Sequence, residues 1–419
     1  MRILHVVHQY PPDNIGGTER YTVELAEQQT ASGHDVAVFA PTSSPRSNEE
    51  STRVNGVVEY RPYIKKRGAR SLFAASFTRR PLAVSFEKAL SDFYPDIVHI
   101  EHLIGLPLKT IDLLTAAEIP FIVTLHDYWF ICANAQLLTN YDQSICSGPD
   151  RYFNCARCAV VRSGLPSMQL LSPSVAPVMA WRNQVVNKAL KRADHLVAPT
   201  QFVKSKYLEF FDLAEQIAVI PHGIRMPEGE IAKRQYRAGQ LNVSYIGGLS
   251  WQKGVHILIE SMNKMPESGV FLSIYGDTSA FPEYVAKLTH LSRHPGISIV
   301  GQIDRLELWS VLSDSDVVVV PSLWFETASL IVQEAFAALV PVVASRIGAL
   351  RERVTDERDG LLVDPGDVTT LQQTLLRLYD NPELRSKLQS GIRPVRTIEN
   401  HASAIEDLYL EVVESRRQS

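Results

Sequence analysis

The sequence predicts an α/β protein built from two doubly wound parallel-sheet domains. Three observations carry that prediction. The first is the regular succession of short apolar strand, short loop and amphipathic helix along all 419 residues. The second is that these strands read as near-continuous apolar runs, such as "DVVVVPS" and "PFIVTL", rather than as polar–apolar alternations; strands of that kind are buried on both faces. The third is a break in the middle of the chain, "PHGIRMPEGEIAKRQYRAGQ", rich in proline and glycine, which reads as a linker.

The first series begins with "RILHVV", passes to the helical "GGTERYTVELAEQQTASG" closed by Gly33, and returns in "HDVAVFAP". "DIVHI", "PFIVTL", "HLVAP" and "IAVIP" complete it. The second series runs "LNVSYIGG", "FLSIYG", "ISIVG", "DVVVVPS" and "PVVAS", with helical spacing between. The expected boundaries are 1–222 for the amino-terminal domain, 223–240 for the hinge and 241–396 for the carboxyl-terminal domain. Residues 397–419 are expected to form a terminal helix. Both halves open with strand, glycine pair and helix, and ligand is expected in the cleft at the carboxyl ends of the strands.

Composition narrows the function classes. Apolar residues at 45% and charged residues at 21% describe an ordinary globular chain, and a formal net charge of −4 argues against a nucleic-acid coat. No run of about eighteen apolar residues is present to cross a membrane. The opening "MRILHVVHQYPPDNIGG" is too short and interrupted in its apolar part for a signal peptide, so a cytoplasmic location is expected. One segment is strongly basic. From Arg61 to Pro81 it carries Arg61, Lys65, Lys66, Arg67, Arg70, Arg79 and Arg80, with Tyr63, Phe73 and Phe77 interleaved and no acid. It reads either as a solvated face or as a patch for anionic headgroups or a phosphate-bearing acceptor at the inner face of a membrane.

The chemistry is expected after the strand "DVVVVPS". "LWFETA" is its exit loop and "SLIVQEAFAAL" a helix beginning near Ser329, which puts Glu326 just outside the helix start and Glu334 in its second turn. Unpaired amides at such a start attract phosphate and sugar oxygens, and two carboxylates there suit hydroxyl-rich ligands. The E-x7-E spacing followed by "EAFAALVPVVAS" resembles the signature of the retaining glycosyltransferases of family 4, with the GT-B fold. That resemblance implies Glu326 on the transferred sugar, Glu334 on the ribose, and the amides of Ala328, Ser329 and Leu330 facing sugar and phosphate oxygens. In "YIGGLSWQKGVHILIE", Lys253 matches the family's lysine on the donor diphosphate. Gly248 departs from the pattern, because many relatives have arginine there; backbone amides or Arg225 at the hinge would carry that load. "GGTERYTVELA" resembles the family's first glycine-rich loop, with Gly16 and Gly17 allowing close approach of phosphate. His126, at the exit of "FIVTLHDYWFIC", matches a histidine that touches the donor sugar.

The resemblance spans nearly the whole chain, and it implies that 1–222 is the acceptor-side domain, that 241–396 binds the nucleotide sugar and that the terminal helix of 397–419 crosses back to the first domain. It implies a metal-independent front-face transfer from a UDP- or GDP-sugar to a saccharide or lipid-linked saccharide. A nucleotide-sugar epimerase of the same fold and a non-catalytic nucleotide-sugar-binding subunit are the rival readings. Asp314-Ser315-Asp316 imitates a metal-binding D-x-D, but it precedes its strand, at the end opposite the ligand. The four cysteines, Cys132, Cys146, Cys155 and Cys158, fall in one short segment. Structural zinc, free buried thiols and disulfides are the three readings of that cluster.

Overall fold

The computed structural model describes all residues except 14–15, 45–50, 66–68, 79, 166, 168, 170–171, 227–228, 230–234 and 419. The chain divides into two compact units, Met1–Gly223 with Thr397–Ser419, and Ile224–Arg396. Part of the expected hinge, 227–228 and 230–234, lies outside the described residues.

The first unit holds an eight-stranded sheet of β1 (Arg2–Val6), β2 (Asp35–Phe39), β3 (Thr52–Val54), β4 (Val57–Tyr60), β5 (Ile97–Ile100), β6 (Phe121–Thr124), β7 (His195–Ala198) and β8 (Ile217–Val219). Its order is β3-β4-β2-β1-β5-β6-β7-β8. All its pairings are parallel except β3 with β4. That antiparallel edge departs from the all-parallel expectation. Asn55 and Gly56 both adopt positive φ, so the two-residue connection closes a hairpin.

The second unit contains β9 (Leu241–Ile246), β10 (Val270–Tyr275), β11 (Ile297–Gly301), β12 (Val317–Val320), β13 (Val342–Ser345) and β14 (Gly360–Val363). Its order, β11-β10-β9-β12-β13-β14, is the doubly wound arrangement in which the direction of winding reverses between β9 and β12. Successive residues of β12 show why the strands read as unbroken valine. Val317 and Val319 enter one apolar cluster while Val318 and Val320 enter the other, since side chains alternate between faces and helices cover both. The described residues contain no helix long and apolar enough to cross a membrane.

The helix Ile398–Gln418 belongs to the first unit. Ile405, Leu408, Tyr409 and Val412 pack it against Ile3, Ile97, Ile122 and Val197, one residue from each of four strands.

Candidate active site

In the second unit, Lys253 and Glu326 come from the exits of β9 and β12, the two strands that flank the winding reversal. Two contacts bring those loops together. Leu323 N–H donates to Gln252 O at 2.8 Å. Gly254, at φ +72°, packs so closely that a Cβ would fall 1.9 Å from Pro321 O, so only glycine allows this approach. Lys253 Nζ then donates to Glu326 Oε1 at 2.7 Å. Ser322 Oγ (2.6 Å) and Trp324 Nε1 (3.0 Å) donate to the same oxygen. Glu326 is 5% exposed. Burial alone would raise its carboxyl pKa, but the Lys253 ammonium and these hydrogen bonds outweigh it and hold the pKa below the usual range.

Ser329 stands directly before the helix Leu330–Ala337 in the left-handed region, at φ 51°, and no side chain caps that helix. A non-glycine residue held there is strained. Glu334, 4% exposed and in the second turn, accepts a hydrogen bond from Arg305 Nη1. Arg305 in turn donates through Nη2 to Arg225 O at 3.2 Å. Each glutamate of the E-x7-E motif is thus held by its own cation. Arg305 is absent from the sequence expectations, although "IDRLEL" signals a helix start. Asp304 caps that helix and Glu307 completes the capping box, which fixes Arg305 as its first residue.

Gly248 lies on the same exit loop as Lys253. Tyr245 OH donates to its carbonyl at 2.8 Å, and a Cβ on it would meet nothing within 4 Å. The fold therefore does not require glycine at the position where an arginine is missing. Arg225 is exposed. Asp314 ends a helix and Asp316 accepts from Asn242 N–H at 2.7 Å, beside the start of β9 and away from this site.

In the first unit the equivalent position lies between β1 and β5. Gly16 N–H donates to Glu19 Oε2 at 2.8 Å, so the carboxylate of Glu19 occupies one amide where a phosphate oxygen is expected. A Cβ on Gly17 would meet nothing within 4 Å. Glu19 is buried, and burial pushes its carboxyl pKa up.

His126, at the exit of β6, donates from Nε2 to Glu101 Oε2 at 2.8 Å. Its ring lies 4.8 Å from that of Tyr21 and 5.1 Å from that of His222. Glu101 is fully buried and also accepts from His5 Nδ1 at 2.9 Å, with His99 Nδ1 at 3.4 Å. Burial would raise its pKa, yet the surrounding histidines hold it well below the usual range. Burial pushes His99 down to about 3. The next residues repeat the motif. His102 Nε2 donates to Asp127 Oδ2 at 2.8 Å, and this pairing, with Glu19, raises the His102 pKa against the opposing effect of burial. Glu101 was not singled out in the sequence; its position directly after "DIVHI" at a strand exit was the available signal.

Among the described residues, His5, His99 and Glu101 form a group whose ligand atoms lie within 4.8 Å of one another. Their nitrogens are already committed. His5 Nε2 is 2.8 Å from Gln29 Oε1, and His99 contacts Tyr409 OH at 2.6 Å and Thr124 Oγ1 at 2.7 Å. Cys132, Cys146, Cys155 and Cys158 are all reduced and line one cavity of about 370 Å³ with Phe73, Phe77 and Trp129. Burial, together with the neighbouring thiols, pushes Cys155 up to about 12 and Cys158 to about 11, which is unlike a reactive redox thiol.

The basic segment departs from its reading as a uniform surface patch. Arg61 is buried, donating to Tyr10 O, to Pro11 O and to Asp13 Oδ2 at 2.9 Å. Phe73 and Phe77 face the cysteine cavity. Lys65 is exposed, whereas Lys66, Arg67 and Arg79, with the side chains of Arg70 and Arg80, lie outside the described residues.

Residues 15–226 match the family model described as Glycosyltransferase Family 4, and residues 240–381 match that of Glycosyl transferases group 1. The chain belongs to glycosyltransferase family 4. It is an enzyme of the hexosyltransferase type, with two Rossmann-like sheets of the GT-B kind. A glycogen synthase from Mycobacterium tuberculosis is 28% identical to it across 100% of this chain and 96% of the relative. A D-inositol 3-phosphate glycosyltransferase from Xylanimonas cellulosilytica is 26% identical over 59% of this chain and 64% of its own length. Among solved structures, sucrose-phosphate synthase from Thermosynechococcus elongatus superposes with a TM-score of 0.72 at 19% identity, covering 99% of both chains. Anabaena HepE, solved with UDP and glucose, gives 0.67 at 17% identity over 97% of this chain and 98% of its own.

Proposed function

We infer that this family 4 enzyme moves a hexose with retention from a UDP- or GDP-linked donor to a saccharide acceptor. The observation that carries the reading is the convergence of Lys253 and Glu326 at the winding reversal of the second sheet. In this reading Lys253 leaves Glu326 for the diphosphate when donor arrives, and Glu326 turns to the sugar hydroxyls. Glu334 takes the ribose, and the amides of Ala328, Ser329 and Leu330 face sugar and phosphate oxygens. Gly248 and the Gly16–Gly17 loop offer further amides to the diphosphate, and His126 contacts the sugar. Arg305, already at Glu334, is the cation that compensates for the arginine missing at Gly248.

The acceptor oxygen attacks the anomeric carbon from the face the diphosphate leaves. The bond from that carbon to the phosphate oxygen breaks, and the acceptor proton passes to the departing oxygen. Charge accumulating on the diphosphate is met by fixed cations and amides, so the rate comes from orientation and electrostatics without a metal. A lipid-linked acceptor at the inner membrane face would engage the cations of 61–81 other than Arg61; co-sedimentation with anionic vesicles tests that extension.

The deciding experiment is a thermal shift of the enzyme and of Glu334→Ala with UDP, GDP, ADP and NAD. A ligand at a hundred times its Kd adds about 2.7 kcal/mol. A shift with UDP or GDP that is reduced in the variant supports the donor site, and an NAD-only shift overturns it. The anomeric coupling of the product reports retention. Free nucleotide formed only when an acceptor is supplied supports transfer. Conversion of the donor into its epimer without net nucleotide release would favour the epimerase, and donor binding without turnover would favour the binding subunit.

A further inference from the structure

The cysteine segment is a sequence of turns leading into one short helix. Cys132 N–H donates to Tyr128 O at 2.7 Å, and its carbonyl accepts from Ala135 N–H at 2.8 Å. Cys146 opens a second turn, in which Gly148 N–H reaches back to Cys146 Sγ at 3.4 Å. A side-chain amide, Asn154 Nδ2, donates to the same sulfur at 3.5 Å. Cys155 and Cys158 sit one turn apart on the helix Phe153–Arg162, and Asn140 N–H donates to Cys158 Sγ at 3.3 Å. Amide donors aimed at sulfur favour thiolate over thiol and commonly surround sulfur ligands.

Charge supplies an independent argument. Arg182 is 1% exposed and lines the same cavity, as does Arg162. Among the described residues Arg182 forms no ion pair with a carboxylate; its hydrogen bonds go to Trp129 O and Asn183 Oδ1. A buried guanidinium without an anion is costly. Four thiolates without a cation would be equally costly.

We propose that Cys132, Cys146, Cys155 and Cys158 bind one zinc ion as a closed, tetrahedral structural site. Zinc held by four thiolates carries two negative charges, which Arg162 and Arg182 balance. Four sulfur donors suit zinc, whereas magnesium and calcium require oxygen. A Cys155–Cys158 disulfide is disfavoured by their placement one helical turn apart, where Cβ atoms stand ~5–6 Å from each other, beyond the ~3.5–4.5 Å a disulfide spans. No three of the sulfurs meet the 4.8 Å spacing satisfied by His5, His99 and Glu101, so capture of the ion draws them inward by side-chain rotation. The ion ties the turns after His126 to the helix Phe153–Arg162. The proposal is independent of donor and acceptor identity.

Metal analysis of the purified full chain tests it. About one zinc per chain is expected, replaceable by cobalt with the visible absorption of a tetrahedral thiolate complex, and absent in Cys146→Ser. Asn154→Ala keeps all four ligands and should bind zinc roughly 10–100-fold more weakly, which separates ligation from failure to fold. Three results would overturn the proposal: a zinc-supplemented chain that holds no metal while all four thiols react rapidly in the native state, disulfides in protein purified under reducing conditions, or acid-labile sulfide with iron.

Discussion

At the carboxyl edge of the first sheet, one fully buried carboxylate, Glu101, is shared among His5, His99 and His126. At the matching edge of the second sheet, two buried glutamates each hold one cation, Lys253 on Glu326 and Arg305 on Glu334. The first arrangement is a hydrogen-bonded frame around one carboxylate, with His99 held neutral by burial. The second pairs each carboxylate with a lysine or arginine side chain. A phosphate-bearing ligand can exchange partners with such pairs without leaving a bare ion behind. Under the proposed function, the first edge would position the sugar and the second would neutralise the diphosphate.

The largest test of this contrast is Glu101→Leu. It removes the acceptor of His126 and His5, and breaking a buried pair typically costs about 3–5 kcal/mol; chemical denaturation should register that loss in the first unit. Lys253→Ala should lower turnover a hundredfold or more, about 2.7 kcal/mol in transition-state terms, together with a loss of Tm, because Glu326 is left buried without its cation. Near-full activity would remove Lys253 from the diphosphate. Glu334→Ala should weaken nucleotide binding about tenfold, read as a reduced thermal shift, through loss of a charge-assisted contact.

A pH series sharpens the comparison. The folded pKa of His99 lies near 3, below its unfolded value of about 6.5, so the unfolded chain binds the extra proton and stability falls as pH drops through that window. His8 acts in the same direction. The lowered pKa of Glu101 contributes stability above its unfolded value that is lost only at still lower pH. His102, whose pKa is raised, opposes them, its stabilisation fading as pH rises through its folded pKa. Among the described residues the second unit has one lowered histidine, His256, and the first has two, His8 and His99, opposed by His102. Because His99 is displaced as far as about 3, the first unit should lose more stability than the second between pH 6.5 and 5. The smallest effect is expected from Gly248→Arg, where an added Cβ meets nothing within 4 Å. Its folding free energy should stay within about 0.5 kcal/mol of the parent, and any gain in nucleotide affinity would show that the family's second cation was dispensable rather than incompatible.

The alternation of strand and helix and the helix beginning at Leu330 were legible because period and spacing carry them, whereas the return of the terminal helix followed only from the family resemblance. Lys253 and Glu326 were identified from their motifs, but their mutual ion pair was not, since it depends on strand order and on Gly254 letting two loops touch. Arg305 and Glu101 were missed for the same reason. Each is ordinary in its local sequence and gains meaning from a partner far along the chain, 29 residues away for Arg305 and 96 for Glu101 with His5. The basic segment misled in the opposite direction, because charge density along the chain cannot reveal that Arg61 is buried against Asp13.

The helix Ile398–Gln418 completes the apolar face of a sheet whose strands were all laid down before residue 220. During synthesis the ribosome therefore delivers the whole second unit before it delivers Ile405, Leu408 and Tyr409. Until then Ile3, Ile97, Ile122 and Val197 have no cover, and His99 lacks its hydrogen bond to Tyr409. Domains generally mature in the order they emerge. Here the order is inverted, so the last twenty residues decide when the first two hundred are finished, and the interval is one in which a chaperone would find its client.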